Sequence, residues 1–138
     1  TATGNAGEGV AVATPLAGVT ITDNVLTLNG LAGVSVVAGD APTITGNSAN
    51  GNYGEGIELD DTVGGTVAAN RAAGNDGDGL SLNKSDGALV DGNDCSSNHG
   101  YGMRIDRSTA DFSAAAGTQD APGTNDVSDN RKGDIDVR

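Results

Sequence analysis

The chain has 138 residues, a net charge of −12, 23 glycines, 2% aromatic residues and no tryptophan. That charge argues against nucleic acid and anionic membrane surfaces as partners, since both are held by Lys and Arg, and no apolar run approaches the ~20 residues that cross a bilayer. Glycine at more than twice its usual share of about 7%, with so few aromatics, excludes a core of large side chains and leaves disorder or a repetitive fold with a small, regular core.

The elements repeat in chain order. Gly7-Glu8-Gly9-Val10-Ala11-Val12 is the first Gly-x-Gly-aliphatic-x-aliphatic unit. Leu31-Ala32-Gly33-Val34-Ser35-Val36 is the same unit with its first glycine replaced. Gly54-Glu55-Gly56-Ile57-Glu58-Leu59, Gly77-Asp78-Gly79-Leu80-Ser81-Leu82 and Gly100-Tyr101-Gly102-Met103-Arg104-Ile105 follow, and Gly133-Asp134-Ile135-Asp136-Val137 closes the series in degraded form. The first aliphatic falls at 10, 34, 57, 80, 103 and 135, in steps of 24, then 23 three times, then 32. Three more columns keep this phase: Asn24, Asn47, Asn70, Asn93 and Asn125; Asn29, Asn52, Asn75, Asn98 and Asn130, with Asn5 before them; and Ile21, Ile44, Val67 and Val90. Between the asparagines lie Leu26, Ala49, Ala72, Cys95 and Val127. The extra residues of the last step place one insertion within 106–124, read as a surface loop near 113–123 because that stretch is small, turn-rich and aperiodic.

Short alternating stretches such as Val19-Thr20-Ile21 and Ile57-Glu58-Leu59 predict strands with one buried face. Each is too short to stand alone, and stacking like coils pairs every strand in parallel with its copy. The aliphatic columns then become the core. Glycines mark corners where the chain turns and φ > 0 is useful. The asparagines, which tolerate the left-handed conformation, become side-chain ladders at the turns. Cys95 sits in an inward column, a small buried hydrophobe that as the only cysteine excludes an internal disulfide. The chain begins at Thr1 and its one methionine is Met103, so a processed product or an excised fragment is expected.

These columns resemble the right-handed parallel β-helix, the class of short repeats found in secreted sugar-processing and NosD-like proteins, and the resemblance covers roughly residues 5–138. It implies an all-β solenoid of about five coils of 23 residues, read as one domain over 1–138. The class holds pectate lyases, polygalacturonases, epimerases, tailspikes and adhesins, so the resemblance specifies fold more than function.

Outward positions of the Gly-x-Gly strand are Ala11, Ser35, Glu58, Ser81, Arg104 and Asp136. Two residues on come Ala13, Val37 or Ala38, Asp60, Asn83, Asp106 and Arg138. Glu58, Asp60, Arg104 and Asp106 therefore share a face with Asp61, Lys84 and Arg107. Carboxylates and a base so placed resemble the sites of polysaccharide lyases and hydrolases, where paired carboxyl groups work on a glycosidic bond. The competing reading is a solvated face of mutually offset charges. No lyase, polygalacturonase or epimerase signature is present, which favours a non-catalytic role. Tyr53 and Tyr101 read as one corner phase with Asp76 between them, a place for sugar stacking.

No cofactor and no dedicated metal site is expected. Asn75-Asp76-Gly77-Asp78-Gly79 has calcium-loop composition without the closing Glu, so loose calcium binding to an acidic rod is the most it supports. Thr20, Thr22, Thr43 and Thr45 form a Thr-x-Thr pair of rungs that the next coils do not continue.

A solenoid end exposes core and backbone, yet neither end shows an amphipathic capping helix. All seven Lys and Arg lie at or after Arg71. The expectation is an extracellular or cell-surface structural solenoid whose partner is itself, head to tail. Ile135 and Val137 would meet Val10 and Val12, in a fibre or against a neighbouring coil. A polysaccharide-binding or polysaccharide-cleaving fragment using Glu58, Asp60, Arg104 and Asp106 is the alternative.

Overall fold

The computed structural model describes residues 1–13, 15–112 and 125–138. Among them are thirteen strands: β1 (Ala2–Thr3), β2 (Val10–Val12), β3 (Thr20–Thr22), β4 (Leu26–Thr27), β5 (Val34–Val37), β6 (Thr43–Thr45), β7 (Ile57–Asp60), β8 (Thr66–Ala68), β9 (Leu80–Asn83), β10 (Asp86–Asp91), β11 (Tyr101–Asp106), β12 (Thr109–Phe112) and β13 (Gly133–Val137). The loop expected near 113–123 lies outside the described residues.

The chain is an all-β parallel solenoid of about five turns. One side is a six-stranded sheet in the order β2-β5-β7-β9-β11-β13, and a second is a five-stranded sheet in the order β3-β6-β8-β10-β12. The third side begins with β1 on β4 and continues as single bridges through Val25, Ser48, Arg71, Asp94 and Asp126. Every pairing is parallel, with Val34, Ile57, Leu80 and Met103 in one register column and Val36, Leu59, Leu82 and Ile105 in another. At the N-terminal end Ala2 and Thr3 pair with Leu26 and Thr27.

Four aliphatic stacks fill the interior. Ile57, Leu80, Val67, Val90, Leu26, Ala49, Ala72 and Cys95 are all buried, and Phe112 joins the same cluster. Each fully buried Leu or Ile contributes about 1.5–3 kcal/mol, and a short strand gains it only through the coils on both sides. Cys95 is a free thiol inside this stack, where burial, then Asp94 and Asp126, push its ionisation far up.

The corners carry the hydrogen bonding. Asn47 Nδ2 donates to Asn70 Oδ1 at 3.0 Å and to the Ile21 carbonyl at 2.8 Å, and its backbone N–H donates to the same Asn70 Oδ1 at 2.9 Å. The pattern runs from Asn24 through Asn70 and Asn93 to Asn125. The second column repeats it from Asn5 through Asn29, Asn52, Asn75 and Asn98 to Asn130. Each interior amide thus finds partners for both its oxygen and its nitrogen, which is what lets it be buried.

Two conformational expectations need correction. The ladder asparagines are not left-handed; the described residues just before them are. Asp23, Gly46, Ala69 and Gly92 precede the first column, and Leu28, Gly51, Gly74, Ser97 and Asp129 the second, all with φ between 52° and 67°. The tight turn thereby falls one residue early and leaves the asparagine to point inward. Nor does the second glycine of each Gly-x-Gly serve positive φ. A Cβ on Gly33 would stand 2.7 Å from the Gly56 carbonyl oxygen and 2.8 Å from Asn52 Nδ2, so the close approach of the next coil excludes any side chain.

Candidate functional site

The outer face of the six-stranded sheet gathers the chain's clustered charges. Register places Ser35, Glu58, Ser81 and Arg104 in one column, and Val37, Asp60, Asn83 and Asp106 in the next. Ser35 and Ser81, expected outward, are only 8% exposed because the longer side chains of neighbouring rungs shade them. Ser81 is the short residue between Glu58 and Arg104, which stand two rungs apart, or about 10 Å at ~4.8 Å per rung. A cleft of about 290 Å³ opens there, with Ser81 and Asn83 among its walls.

Glu58, Arg104 and Asp106 line the cleft together with Glu55, Lys84 and Arg107. Asp60 does not line it; its Oδ1 accepts a hydrogen bond from Asn83 Nδ2 at 2.8 Å. Three of the seven cations, Lys84, Arg104 and Arg107, therefore meet at one cleft of a chain with net charge −12. Asp106 steadies two of them, with Arg104 at 3.4 Å and Arg107 at 3.7 Å. Arg104 Nε is buried and has no hydrogen-bond partner among the described residues. Burial first, then the Glu55 carboxylate, raises the Glu58 pKa above the usual carboxylate range, while a 3.2 Å hydrogen bond from Ser35 opposes the shift.

Residues 1–118 match the family described as right handed beta helix region. The chain belongs to the right-handed β-helix family. No curated protein and no solved structure matched it. A right-handed β-helix supports structural and polysaccharide-related solenoids in general.

In this right-handed β-helix, the other residues singled out by sequence are scattered. Val10, Val12 and Ile135 are partly buried and pack against the core, whereas Val137 is 39% exposed. They stand on β2 and β13, the outermost rungs of the six-stranded sheet. Among the described residues no group of three or more His, Cys, Asp and Glu is arranged to hold a metal ion. Tyr53 and Tyr101 do not share a row: Tyr101 N–H bonds Asp78 Oδ1 at 2.7 Å, while Tyr53 lies in the row of Asp76 and His99. Sequence reasoning missed Glu55 and the notch at Ser81. The signal for the notch was there, one small residue between two long ones in a register column.

A third ladder also went unread. Ser85 Oγ accepts the Thr62 N–H at 3.1 Å and Ser108 Oγ accepts the Ser85 N–H at 2.7 Å. Asp61, Lys84 and Arg107, each left-handed, precede these residues as at the asparagine corners. That ladder sets the turn from which Lys84 and Arg107 project beside the cleft.

Proposed function

We propose that this β-helix is an extracellular solenoid that binds acidic polysaccharide in the Glu58–Arg104 cleft. One observation carries the reading: three cations converge on a shallow, polar cleft in a strongly acidic chain. Arg104 offers a planar fork suited to a sugar carboxylate, and its unpartnered Nε is a donor that a ligand oxygen would satisfy. Glu58 and Asp106, at opposite ends of the cleft, would accept from sugar hydroxyls. The role proposed is binding. Acid–base cleavage would need a carboxyl pair set across one glycosidic bond. The test is calorimetric titration with galacturonate oligomers, with Arg104→Ala expected to weaken binding at least about tenfold, the loss of a charged hydrogen bond. Equal affinity for the wild type and the variant would remove the reading.

A second, structural reading rests on a different observation. The outermost rungs β2 and β13 leave Val10, Val12, Ile135 and Val137 incompletely covered. We propose that a neighbouring coil covers them, in the same chain or in a second copy joined head to tail, as in a fibre or surface appendage.

A further inference from the structure

Among the described residues, the most exposed large apolar side chain stands two residues before Glu55, which lines the cleft. Tyr53 is 70% exposed, and Leu28 and Leu31 nearby are 61% and 50% exposed. The three fall together by register. Leu28 lies over Gly51, whose Cβ would sit 3.5 Å from Leu28 Cδ2. Leu31 lies over Gly54, where a Cβ would meet the Leu31 backbone at 2.9 Å. Tyr53 stands between those two glycines in the chain, and the following coil presents Gly74 and Gly77 in the same two rows. Glycines thus occupy both rows in the coil of Tyr53 and in the next, and Leu28 and Leu31 are the side chains of those rows in the coil before.

We infer that the polysaccharide site extends past the cleft onto this corner, where Tyr53 stacks on the apolar face of a further pyranose ring. The inference rests on the reading of the cleft as a polysaccharide site. Continuity supports it: Glu55 lines the cleft and is only two residues from Tyr53, at most about 7 Å along the chain. Charge supports it as well. The Lys and Arg of these rows, Arg131 and Lys132, stand three rungs from Tyr53, about 14 Å at ~4.8 Å per rung, so the rung of Tyr53 offers no cation to a sugar carboxylate and suits the uncharged face of a ring. Leu28 and Leu31 widen the apolar platform on the side away from Asp76, whose carboxylate is engaged with His99 Nδ1 at 2.8 Å. An aromatic platform of this kind binds through buried ring area and CH–π contact, which tolerates Phe in place of Tyr.

The experiment compares a galacturonate dimer with longer oligomers by calorimetry, on wild type, Tyr53→Ala, Tyr53→Phe and Arg104→Ala. Tyr53→Ala is expected to weaken the longer oligomers by about tenfold and to leave the dimer unchanged, while Tyr53→Phe binds as wild type does. Arg104→Ala weakens both. If Tyr53→Ala binds long oligomers normally while Arg104→Ala loses them, the stacking corner is wrong and the cleft stands. Equal loss of dimer and long oligomer in Tyr53→Ala also overturns the stacking role, and a wild type that binds neither overturns both.

Discussion

Asn70 shows how much one side chain carries. Its Oδ1 receives two hydrogen bonds from Asn47, and its Nδ2 supplies Asn93 Oδ1 and the Ile44 carbonyl. Asn70→Ala strands the Asn47 backbone N–H, leaves Asn47 Nδ2 with only the Ile21 and Thr45 carbonyls, and takes the side-chain donor from the Ile44 carbonyl. At about 1–3 kcal/mol for each buried unsatisfied group, a loss of roughly 3 kcal/mol is expected in urea unfolding, large against a typical total of 5–15. A loss below about 1 kcal/mol would show that the ladder is ornamental. Glu58 gives a pH signature of the opposite sign to most carboxylates. Its pKa is raised in the folded chain, by burial first and by Glu55 next. Between the ordinary and the raised value the native state holds more protons than the unfolded chain, so this group's contribution to stability falls as pH rises through that window. Glu58→Gln should therefore be the more stable form at neutral pH, and the difference should vanish below the ordinary carboxylate range. Urea midpoints across a pH series will show it, and a pH-independent gap would contradict the shift.

Strands of two to six residues hold only because neighbours stack on them. The second glycine of each repeat sets how closely they stack. Gly33 is at an ordinary φ, so conformational freedom is not the reason for its presence there. Gly33→Ala would press a methyl group against the Gly56 carbonyl, Ala49 Cβ and Asn52 Nδ2, each at 2.7–2.8 Å. Two of those three sit on backbone or close to it and cannot swing aside. We expect a cost of about 1–3 kcal/mol, the range for overpacking, read as a drop in melting temperature. An unchanged melting temperature would mean that adjacent coils slide apart more easily than this packing implies. The same close stacking governs the cleft, because the side-chain length at each outward position decides whether a rung is raised or sunken. Ser81 is sunken between Glu58 and Arg104, and so the cleft sits at the middle of the sheet.

At the scale of the molecule, stability is a sum over coils and their contacts, and the outermost coils are the least covered. Ile135 and Val137 extend the columns of Met103 and Ile105 on β13, and Val10 and Val12 extend those of Val34 and Val36 on β2. If copies join head to tail through these rungs, the contact is heterologous and propagates into a filament. Ile135→Pro removes a ladder donor at the joint. Light scattering should then show large particles for the wild type and monomers for the variant. A monodisperse wild-type monomer at high concentration would eliminate stacking between copies.

The solenoid itself was legible in the sequence because a parallel stack imposes one phase on every column. Val67 and Val90, Ala72 and Cys95, Asn47 and Asn70 must each recur at the same step, since a one-residue slip would turn a buried side chain outward. The asparagine columns were legible for the same reason. What the period does not encode is local backbone sign and side-chain reach. Ala69 and Leu28 are left-handed despite carrying a Cβ, because the stacked corners on either side hold them there, and no propensity of Ala or Leu announces it. Tyr53 and Tyr101 were read as equivalent but lie in different rows, which the sequence does carry: Tyr53 precedes the first glycine of its motif, and Tyr101 sits between the two glycines of its own. The cleft, too, belonged to the tertiary structure. Sequence placed Glu58, Asp60, Arg104 and Asp106 on one face, but the hydrogen bond to Asn83 drew Asp60 aside, and Glu55 came in from the preceding corner. Periodic burial is a property of the repeat and survives in one dimension, whereas a cleft arises from unlike side chains on adjacent rungs and exists only once those rungs are stacked.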